Sequence, residues 1–154
     1  MPEPFLLCLV MPATLYLCVI IHEAGHALIG KALGFVVTSV GLGTARPFFI
    51  LPLGRTRLFL GLIQPFQGIT FAFLPRPYPD WRRLAVFVAG GIAANAFFTA
   101  ASLCLALCLP TGRLAAFFIM FAAINAVLAI TSLIPLYFRV GGAVLRSDGW
   151  LLLD

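Results

Sequence analysis

Three residues in the first part of the chain have the types and spacing needed to bind a metal ion and activate water. They are His22, Glu23 and His26, in the pattern H-E-x-x-H. On an α-helix the two histidines lie only about 40° apart, so both imidazoles can reach one ion. Glu23 lies on the same face, where its carboxylate can act as a general base toward a metal-bound water. The pattern predicts hydrolysis assisted by Zn²⁺.

The sequence around this motif is strongly apolar. From Phe5 to Leu33 there is no Asp, Glu, His, Lys or Arg other than the motif itself and Lys31. A charged side chain at the centre of a bilayer costs at least about 2.5–3.5 kcal/mol, so such groups are candidates for a functional role. We therefore interpret the motif as a catalytic metal site. A polar cluster that only joins helices is the structural alternative.

The composition is that of an integral membrane protein. Of 154 residues, 62% are hydrophobic and 10% are charged, and the mean hydropathy is +1.10. Soluble domains are nearer half apolar and a quarter charged, whereas a membrane span needs about 20 apolar residues. We predict one domain over residues 1–154, mainly α-helical, with three transmembrane helices over about 5–33, 84–109 and 113–138. A short tail follows the third helix.

The connection between the first two predicted helices, residues 40–74, has a different pattern. It contains short runs of β-branched and aromatic residues, interrupted by glycine and proline, which is typical of strands and turns. Non-helical backbone at membrane depth needs protein or a water-filled cavity to satisfy its hydrogen bonds. We therefore predict a short membrane-associated β-sheet or hairpin beside the metal helix. An amphipathic surface loop is the alternative.

The basic residues indicate an orientation in the bilayer. Residues 31–83 contain seven Lys or Arg residues and one acid, whereas Arg113 is the one basic residue between the second and third helices. Lys and Arg are enriched in cytoplasmic connections. The N-terminus is thus predicted outside, and the active site toward the cytoplasmic side. This distribution explains the net charge of +5 by membrane topology, so no nucleic-acid partner is expected.

The two histidines need a third protein ligand, because a catalytic zinc ion keeps three such ligands and one open position. With Glu23 reserved as the base, four acids remain: Glu3, Asp80, Asp148 and Asp154. Asp148 is favoured because Gly149 permits a close approach of the backbone and because the tail shares the cytoplasmic side. The alternative for Asp148 is a structural role at a helix N-terminus.

The second predicted helix carries one strongly polar residue, Asn95. It lies four positions after Gly91 within Ala89-Gly-Gly-Ile-Ala-Ala-Asn95, so the amide and the small residues share one helix face. Small residues let membrane helices approach closely. Asn95 is therefore either an interhelical hydrogen-bonding group or a contact to substrate.

These elements together resemble the site-2 protease family of intramembrane zinc metalloproteases. The H-E-A-G-H sequence comes first, and a β-rich connection follows, in which residues 63–69 are similar to a strand turn of the family. Residues 89–95 are similar to the family's Ala-Gly-Pro-x-x-Asn, and Leu133-Ile-Pro135 with Asp148-Gly149 to its Asn-x-x-Pro and Asp-Gly element. Three departures are Ser132 in place of asparagine, Gly91 in place of proline and the 13 positions between Pro135 and Asp148.

The resemblance implies a zinc metalloendopeptidase that hydrolyses peptide bonds of membrane-spanning or membrane-associated substrates through a zinc-activated water. It implies that His22, His26 and Asp148 bind Zn²⁺, that Glu23 is the catalytic base and that Asn95 faces the substrate. The partners would then be a membrane protein or peptide and the lipid bilayer. A non-catalytic membrane scaffold with a structural zinc site is the main alternative, and a transporter or channel is another.

Overall fold

Three long helices form most of the structure. The computed structural model describes residues 3–43, 47–61, 67–74, 81–140 and 143–153. The helices are α1 (Glu3–Ala32), α2 (Trp81–Cys108) and α3 (Arg113–Ser132). Each contains a segment long and apolar enough to cross a membrane, which confirms the prediction of three long apolar helices. Helix α2 packs against both of the others.

Helices α1 and α2 run antiparallel and approach each other closely through glycine. A Cβ atom added at Gly90 would lie 2.8 Å from the carbonyl oxygen of Gly25, and one added at Gly25 would lie 2.7 Å from the Ala94 side chain. Farther along, a Cβ added at Gly30 would lie 2.9 Å from the Phe87 ring. These contacts leave no room for larger side chains, so they fix how closely α1 and α2 pack and which residues of the two helices lie opposite each other.

A four-stranded mixed sheet lies between α1 and α2 in the sequence. Its strands are β1 (Val36–Leu42), β2 (Pro47–Leu53), β3 (Thr56–Gly61) and β4 (Gly68–Phe73). Their order in the sheet is β2-β3-β1-β4, with β1 parallel to β3 and the other pairs antiparallel. Strand β4 is thus an edge strand, and it packs beside β1 against α1. The predicted β-structure of this connection is confirmed, and its depth relative to a membrane stays a prediction.

One face of this sheet contributes to the core. Val37, Val40 and Leu42 of β1 are buried, and Thr56 of β3 is buried with its hydroxyl donating to the Val37 carbonyl oxygen at 2.9 Å. Successive side chains in a strand point to opposite faces, and the register shift between Val37 and Ser39 puts Val37 on the same face as Val40 and Leu42. Ser39 and its partner Arg57 therefore lie on the other, outer face.

The third helix ends at Ser132, earlier than the predicted end near Phe138. Pro135 accounts for this end, because proline has no backbone N–H and disfavours helical geometry in the residue before it. Residues after it form an unpredicted hairpin of β5 (Tyr137–Val140) and β6 (Ala143–Arg146), followed by the short helix α4 (Asp148–Leu153). An apolar run alone does not distinguish a strand from the last turns of a helix.

Candidate metal centre

The two histidines of the motif lie side by side on the buried face of α1. His22 and His26 are 8% and 5% exposed, and their Nε2 atoms are 3.1 Å apart. Neutral imidazole nitrogens at this separation can bind one metal ion together. The helical spacing of the motif therefore brings together the two imidazoles that the sequence predicts to be metal ligands.

Asp148 completes the group from the far end of the chain. Its Oδ2 atom lies 2.9 Å from Nε2 of His22 and 3.3 Å from Nε2 of His26. One ligand atom from each of the three residues lies within 4.8 Å of the others. Of the other candidate acids, Asp80, Asp154 and the Glu3 side chain lie outside the part of the chain that the structure describes. Asp148 is thus the acid that the described structure brings to the histidines.

The charge of Asp148 suits a metal ligand. Burial opposes its ionisation, but hydrogen bonds to the ring nitrogens of His22 and His26 outweigh that effect and lower the pKa of the carboxyl group to about 2. Metal binding requires an ionised carboxylate. Asp148 therefore needs no deprotonation before it binds a cation at neutral pH.

A closed loop explains how Asp148 reaches the histidines despite its distance from Pro135 in the sequence. At the base of the β5–β6 hairpin, the Ser147 N–H donates to the Leu136 carbonyl oxygen at 3.0 Å, and the Leu136 N–H donates to Ser147 Oγ at 2.9 Å. The Ser147 hydroxyl in turn donates to the Ile134 carbonyl oxygen at 2.8 Å. Residues 137–146 thus leave and rejoin the chain at one place, which puts Asp148 directly beside the end of α3.

Gly149 lets α4 sit against the end of α3. A Cβ added there would lie 2.5 Å from the carbonyl carbon of Leu133 and 2.9 Å from that of Ile134. Any other residue would push α4 away from α3 and move the adjacent Asp148. The predicted close approach of the backbone at Gly149 is confirmed. The approach is between α4 and the residues that follow α3.

The ligands are also held from the α2 side. The Nδ1–H of His26 donates to the Phe87 carbonyl oxygen at 3.0 Å, which leaves Nε2 as the atom free to bind a metal. A Cβ added at Gly91 would lie 2.6 Å from Nε2 of His22 and would also overlap Nε2 of His26. Gly91 therefore keeps open the space in which the two Nε2 atoms meet.

Glu23 is positioned by the sheet. It is 6% exposed, and its Oε2 atom accepts a hydrogen bond of 2.5 Å from the hydroxyl of Thr70 in β4. A Cβ added at Gly68 would lie 2.6 Å from Cδ of Glu23. Thr70 was not predicted from the sequence, since no local pattern marks a strand threonine that pairs with a residue 47 positions earlier. The carboxylate is thus fixed beside the metal ligands without belonging to their group.

A cavity of about 400 Å³ opens onto these side chains. His22, Glu23, His26 and Asp148 all line it, together with residues of β4 such as Thr70. Asn95 is completely buried and is not among the lining residues, and neither atom of its amide has a partner among the described residues. Its predicted contact with substrate stays a prediction.

The comparison with protein families covers the part of the chain that contains His22, Glu23 and His26. Peptidase family M50 matches residues 11–112, which is more than half of the chain and includes the H-E-x-x-H motif and all of α2. The chain therefore belongs to peptidase family M50, the site-2 protease family. Members of this family are zinc metalloproteases, and the protein is accordingly a membrane metalloprotease by family. Comparison with curated proteins gives no match.

The residues fit the zinc ion that the family implies. Two imidazole nitrogens and one carboxylate are a common catalytic zinc set, which leaves a fourth position for water or substrate. The hydrogen bond from His26 to a backbone carbonyl is the outer support that such a ligand usually has. In the described part of the chain, no fourth His, Cys, Asp or Glu joins the group, as an open catalytic position requires.

Proposed function

We propose that this protein is a zinc endopeptidase that cleaves peptide bonds of membrane-spanning or membrane-associated substrates. The observation that carries the proposal is the convergence of His22, His26 and Asp148 with Glu23 fixed beside them. His22, His26 and Asp148 would hold the zinc ion. Bound zinc supplies a Lewis acid that polarises the scissile carbonyl and lowers the pKa of water to about 7.

Glu23 is the general acid and base of the proposed reaction. Its carboxylate takes the proton of the attacking water and then delivers that proton to the leaving amine. The hydrogen bond from Thr70 holds Oε2 and so orients the carboxylate toward the metal ligands. A buried position excludes bulk water, which strengthens the electrostatic effect of each fixed group.

The edge of β4 is the proposed docking site for the substrate backbone. Edge strands have unpaired N–H and C=O groups, and β4 lies directly beside Glu23. An unwound segment of a membrane-spanning substrate would add to β4 as a further strand. Its scissile bond would then face the cavity that contains Glu23 and the three ligands.

The test compares the wild-type protein with Glu23→Gln, which keeps the side-chain size and removes the base. Because the three ligands remain, zinc content per purified protein should be unchanged. Cleavage of a single-span reporter substrate should fall by about 10²–10⁴-fold, the usual contribution of general acid–base catalysis. A Glu23→Gln protein that cleaves at the wild-type rate would overturn the proposed mechanism, and a zinc-loaded wild type without proteolysis would favour a structural scaffold.

The proposed orientation has its own measurement. The seven basic residues between Lys31 and Arg83 support an outside N-terminus and an active site toward the cytoplasmic side. Single cysteines placed at Glu3 and Asp154, in a chain whose own cysteines are replaced, should be labelled from opposite sides of sealed vesicles. Labelling of position 3 from the cytoplasmic side would reverse the assignment.

A further inference from the structure

The two histidines of the metal centre differ in how their second ring nitrogen is held. Nδ1 of His26 bonds to the Phe87 carbonyl oxygen, whereas Nδ1 of His22 is buried and has no hydrogen-bond partner among the described residues. A histidine that binds a metal through Nε2 almost always donates its Nδ1–H to an oxygen atom, which fixes the tautomer and the orientation of the ring. A buried donor without such a partner also costs free energy. His22 therefore requires an acceptor close to Nδ1.

The orientation of the His22 ring shows on which side this acceptor must lie. Nε2 of His22 faces Nε2 of His26, and a Cβ added at Gly91 would lie 2.6 Å from Nε2 and 2.7 Å from Cε1 of His22. The ring edge that contains Cε1 thus faces α2 at Gly91. Nδ1 is the other nitrogen bonded to Cε1, so it lies on the side of the ring away from His26. Because α1 and α2 run antiparallel, that side leads to the residues that precede His22 in α1 and follow Gly91 in α2.

One helical turn farther along, completely buried polar side chains of all three long helices meet. We call them the polar layer: Cys18 of α1, Asn95 of α2 and Asn125 of α3, each 0% exposed. Cys18 lies one turn before His22, and Asn95 lies one turn after Gly91. The Asn125 Nδ2–H donates to Sγ of Cys18 at 3.1 Å, whereas Asn125 Oδ1 has no partner among the described residues. Asn125 is therefore bonded to the turn of α1 before His22.

Asn95 has the least satisfied side chain of the polar layer. Neither its Oδ1 nor its Nδ2 atom has a partner among the described residues. Its backbone is held in place, since the Thr99 hydroxyl donates to the carbonyl oxygens of Asn95 and Ala122 at 2.9 and 3.4 Å. An amide buried without hydrogen bonds is strongly unfavourable. The Asn95 amide and the Nδ1–H of His22 are thus two unsatisfied groups on facing turns of α1 and α2.

We propose that Asn95 is a positioning residue for His22, and that one buried water molecule links His22 Nδ1–H to Asn95 Oδ1. The link goes through water because neither group reaches a protein partner directly, and a bridging water is nearly as favourable in enthalpy as a direct hydrogen bond. The water accepts from Nδ1–H and donates to Oδ1. This arrangement keeps the proton on Nδ1 and leaves Nε2 of His22 for the metal. The inference rests on the proposed role of His22 as a zinc ligand.

The first experiment observes the imidazole nitrogens directly. His22 and His26 are the two histidines of the chain, so ¹⁵N-histidine labelling of the zinc-loaded protein in lipid vesicles gives the ring signals of these residues alone in solid-state NMR. In the wild type, both residues should show a protonated Nδ1 and a metal-bound Nε2. In Asn95→Leu the His26 signals should stay, whereas the His22 Nδ1 proton should move upfield as its hydrogen bond is lost. Unchanged His22 signals would overturn the proposal.

The second experiment measures zinc affinity by competition with a chelator. Loss of an outer-sphere partner of a metal-binding histidine usually lowers affinity by about 10- to 100-fold, which is the loss expected for Asn95→Leu. Asn95→Asp keeps both the size and the oxygen acceptor, so its affinity should stay within about 3-fold of the wild type.

Asn125→Leu is the matched control for both experiments. It makes the same change at an equally buried asparagine of the polar layer, whose amide is already bonded to Cys18. Zinc affinity and the His22 signals should therefore stay as in the wild type. Equal losses in the two leucine variants would assign Asn95 to helix packing and overturn the proposal.

The wild-type protein provides a test that needs no variant. Asn95 and Asn125 are the two asparagines of the chain, so ¹⁵N-asparagine labelling resolves their side-chain amides. The His22 Nδ1 proton should show a through-space contact to a water proton, and the same water should contact the Asn95 amide. A zinc-loaded protein without these contacts would overturn the proposal. A wild type that binds no zinc would reject the metal centre itself, whereas zinc binding without proteolysis would reject the proposed function and leave the link between Asn95 and His22 standing.

Discussion

The proposed metal centre is assembled from two regions that the chain specifies in different ways. His22, Glu23 and His26 come from five consecutive residues of α1, and helical periodicity alone puts them on one face. Asp148 comes from 126 positions after His22 and depends on the end of α3, the base of a hairpin and the packing of α4. The comparison shows that a local half can be predicted from spacing, whereas the distant half depends on how several elements pack.

Removal of the distant ligand should have the largest effect on metal binding. Asp148→Ala leaves two histidines to hold a divalent ion, so zinc affinity should fall by more than the 10–100-fold typical of losing an outer-sphere partner. Competition with a chelator measures this affinity, and reporter cleavage should fall with it. Asp80→Ala is the control. If Asp80→Ala releases zinc and Asp148→Ala does not, then Asp148 is structural and the tail does not contribute a ligand.

The second largest loss of zinc affinity is expected when the space at Gly91, beside His22 and His26, is filled. In Gly91→Val the added Cβ meets Nε2 of both histidines, so the ligands must move apart and zinc affinity should fall. Overpacking of a tight contact also costs about 1–3 kcal/mol of stability. Gly112→Ala is the control, since a Cβ there would meet only the Pro110 carbonyl oxygen at 4.0 Å. Full zinc occupancy in Gly91→Val would contradict this prediction and would show that α2 shifts at residue 91 to accommodate the valine.

Thr70→Val should affect catalysis without affecting the metal. The valine keeps the shape of the side chain but removes the hydrogen bond to Glu23 Oε2, which is worth about 1.5–3 kcal/mol when one partner is charged. We therefore expect kcat to fall by roughly 10- to 100-fold at unchanged zinc content. The control variant is Thr38→Val, because the Thr38 hydroxyl donates an exposed hydrogen bond to the Phe71 carbonyl oxygen. A parallel loss of zinc in Thr70→Val would mean that β4 supports the whole site.

The smallest effect is expected at the base of the hairpin. Ser147→Ala removes the hydroxyl that joins Leu136 and Ile134, and a hydrogen bond of this kind contributes about 0.5–1.5 kcal/mol. Zinc affinity should fall by only a few-fold, because the backbone bond from Ser147 to Leu136 remains. Ser102→Ala, at a buried serine of α2, should leave the affinity unchanged. A loss as large as that of Asp148→Ala would show that the hydroxyl alone holds the loop closed.

The sequence predicts the local features of this protein well. Long apolar runs predict the three helices, the H-E-x-x-H spacing predicts that His22 and His26 meet, and the Gly149 context favours Asp148. The sequence does not reveal the contact of Thr70 with Glu23 or the early end of α3, because both depend on which distant elements pack together. Asn95 illustrates the same limit, since an amide in an apolar helix indicates importance but not the direction in which it points.

The strand order also changes how the sheet is understood. The pattern of residues 40–74 predicts strands but gives no indication that β1 pairs with β3 in parallel or that β4 lies at the edge. Strand β3 lies inside the sheet between β2 and β1, so a proline in β3 would disrupt the sheet itself and would not test docking at an edge. The Gly43 N–H donates to the Gln67 carbonyl oxygen, so Gln67, Ile69 and Phe71 pair with β1 and the alternate residues direct their amides to the free edge. A proline that tests docking along this edge therefore belongs at Ala72.

Because the base of the β5–β6 hairpin is closed, the position of Asp148 does not depend on the length of the hairpin. Since Ser147 is fastened to Leu136, residues can be added or removed within the hairpin without changing the path from α3 to Asp148. Related chains could therefore differ widely in the number of residues at this point and still present the same carboxylate. The hairpin is for the same reason a favourable location for an epitope or a fluorescent label that reports on the tail while the metal centre stays intact.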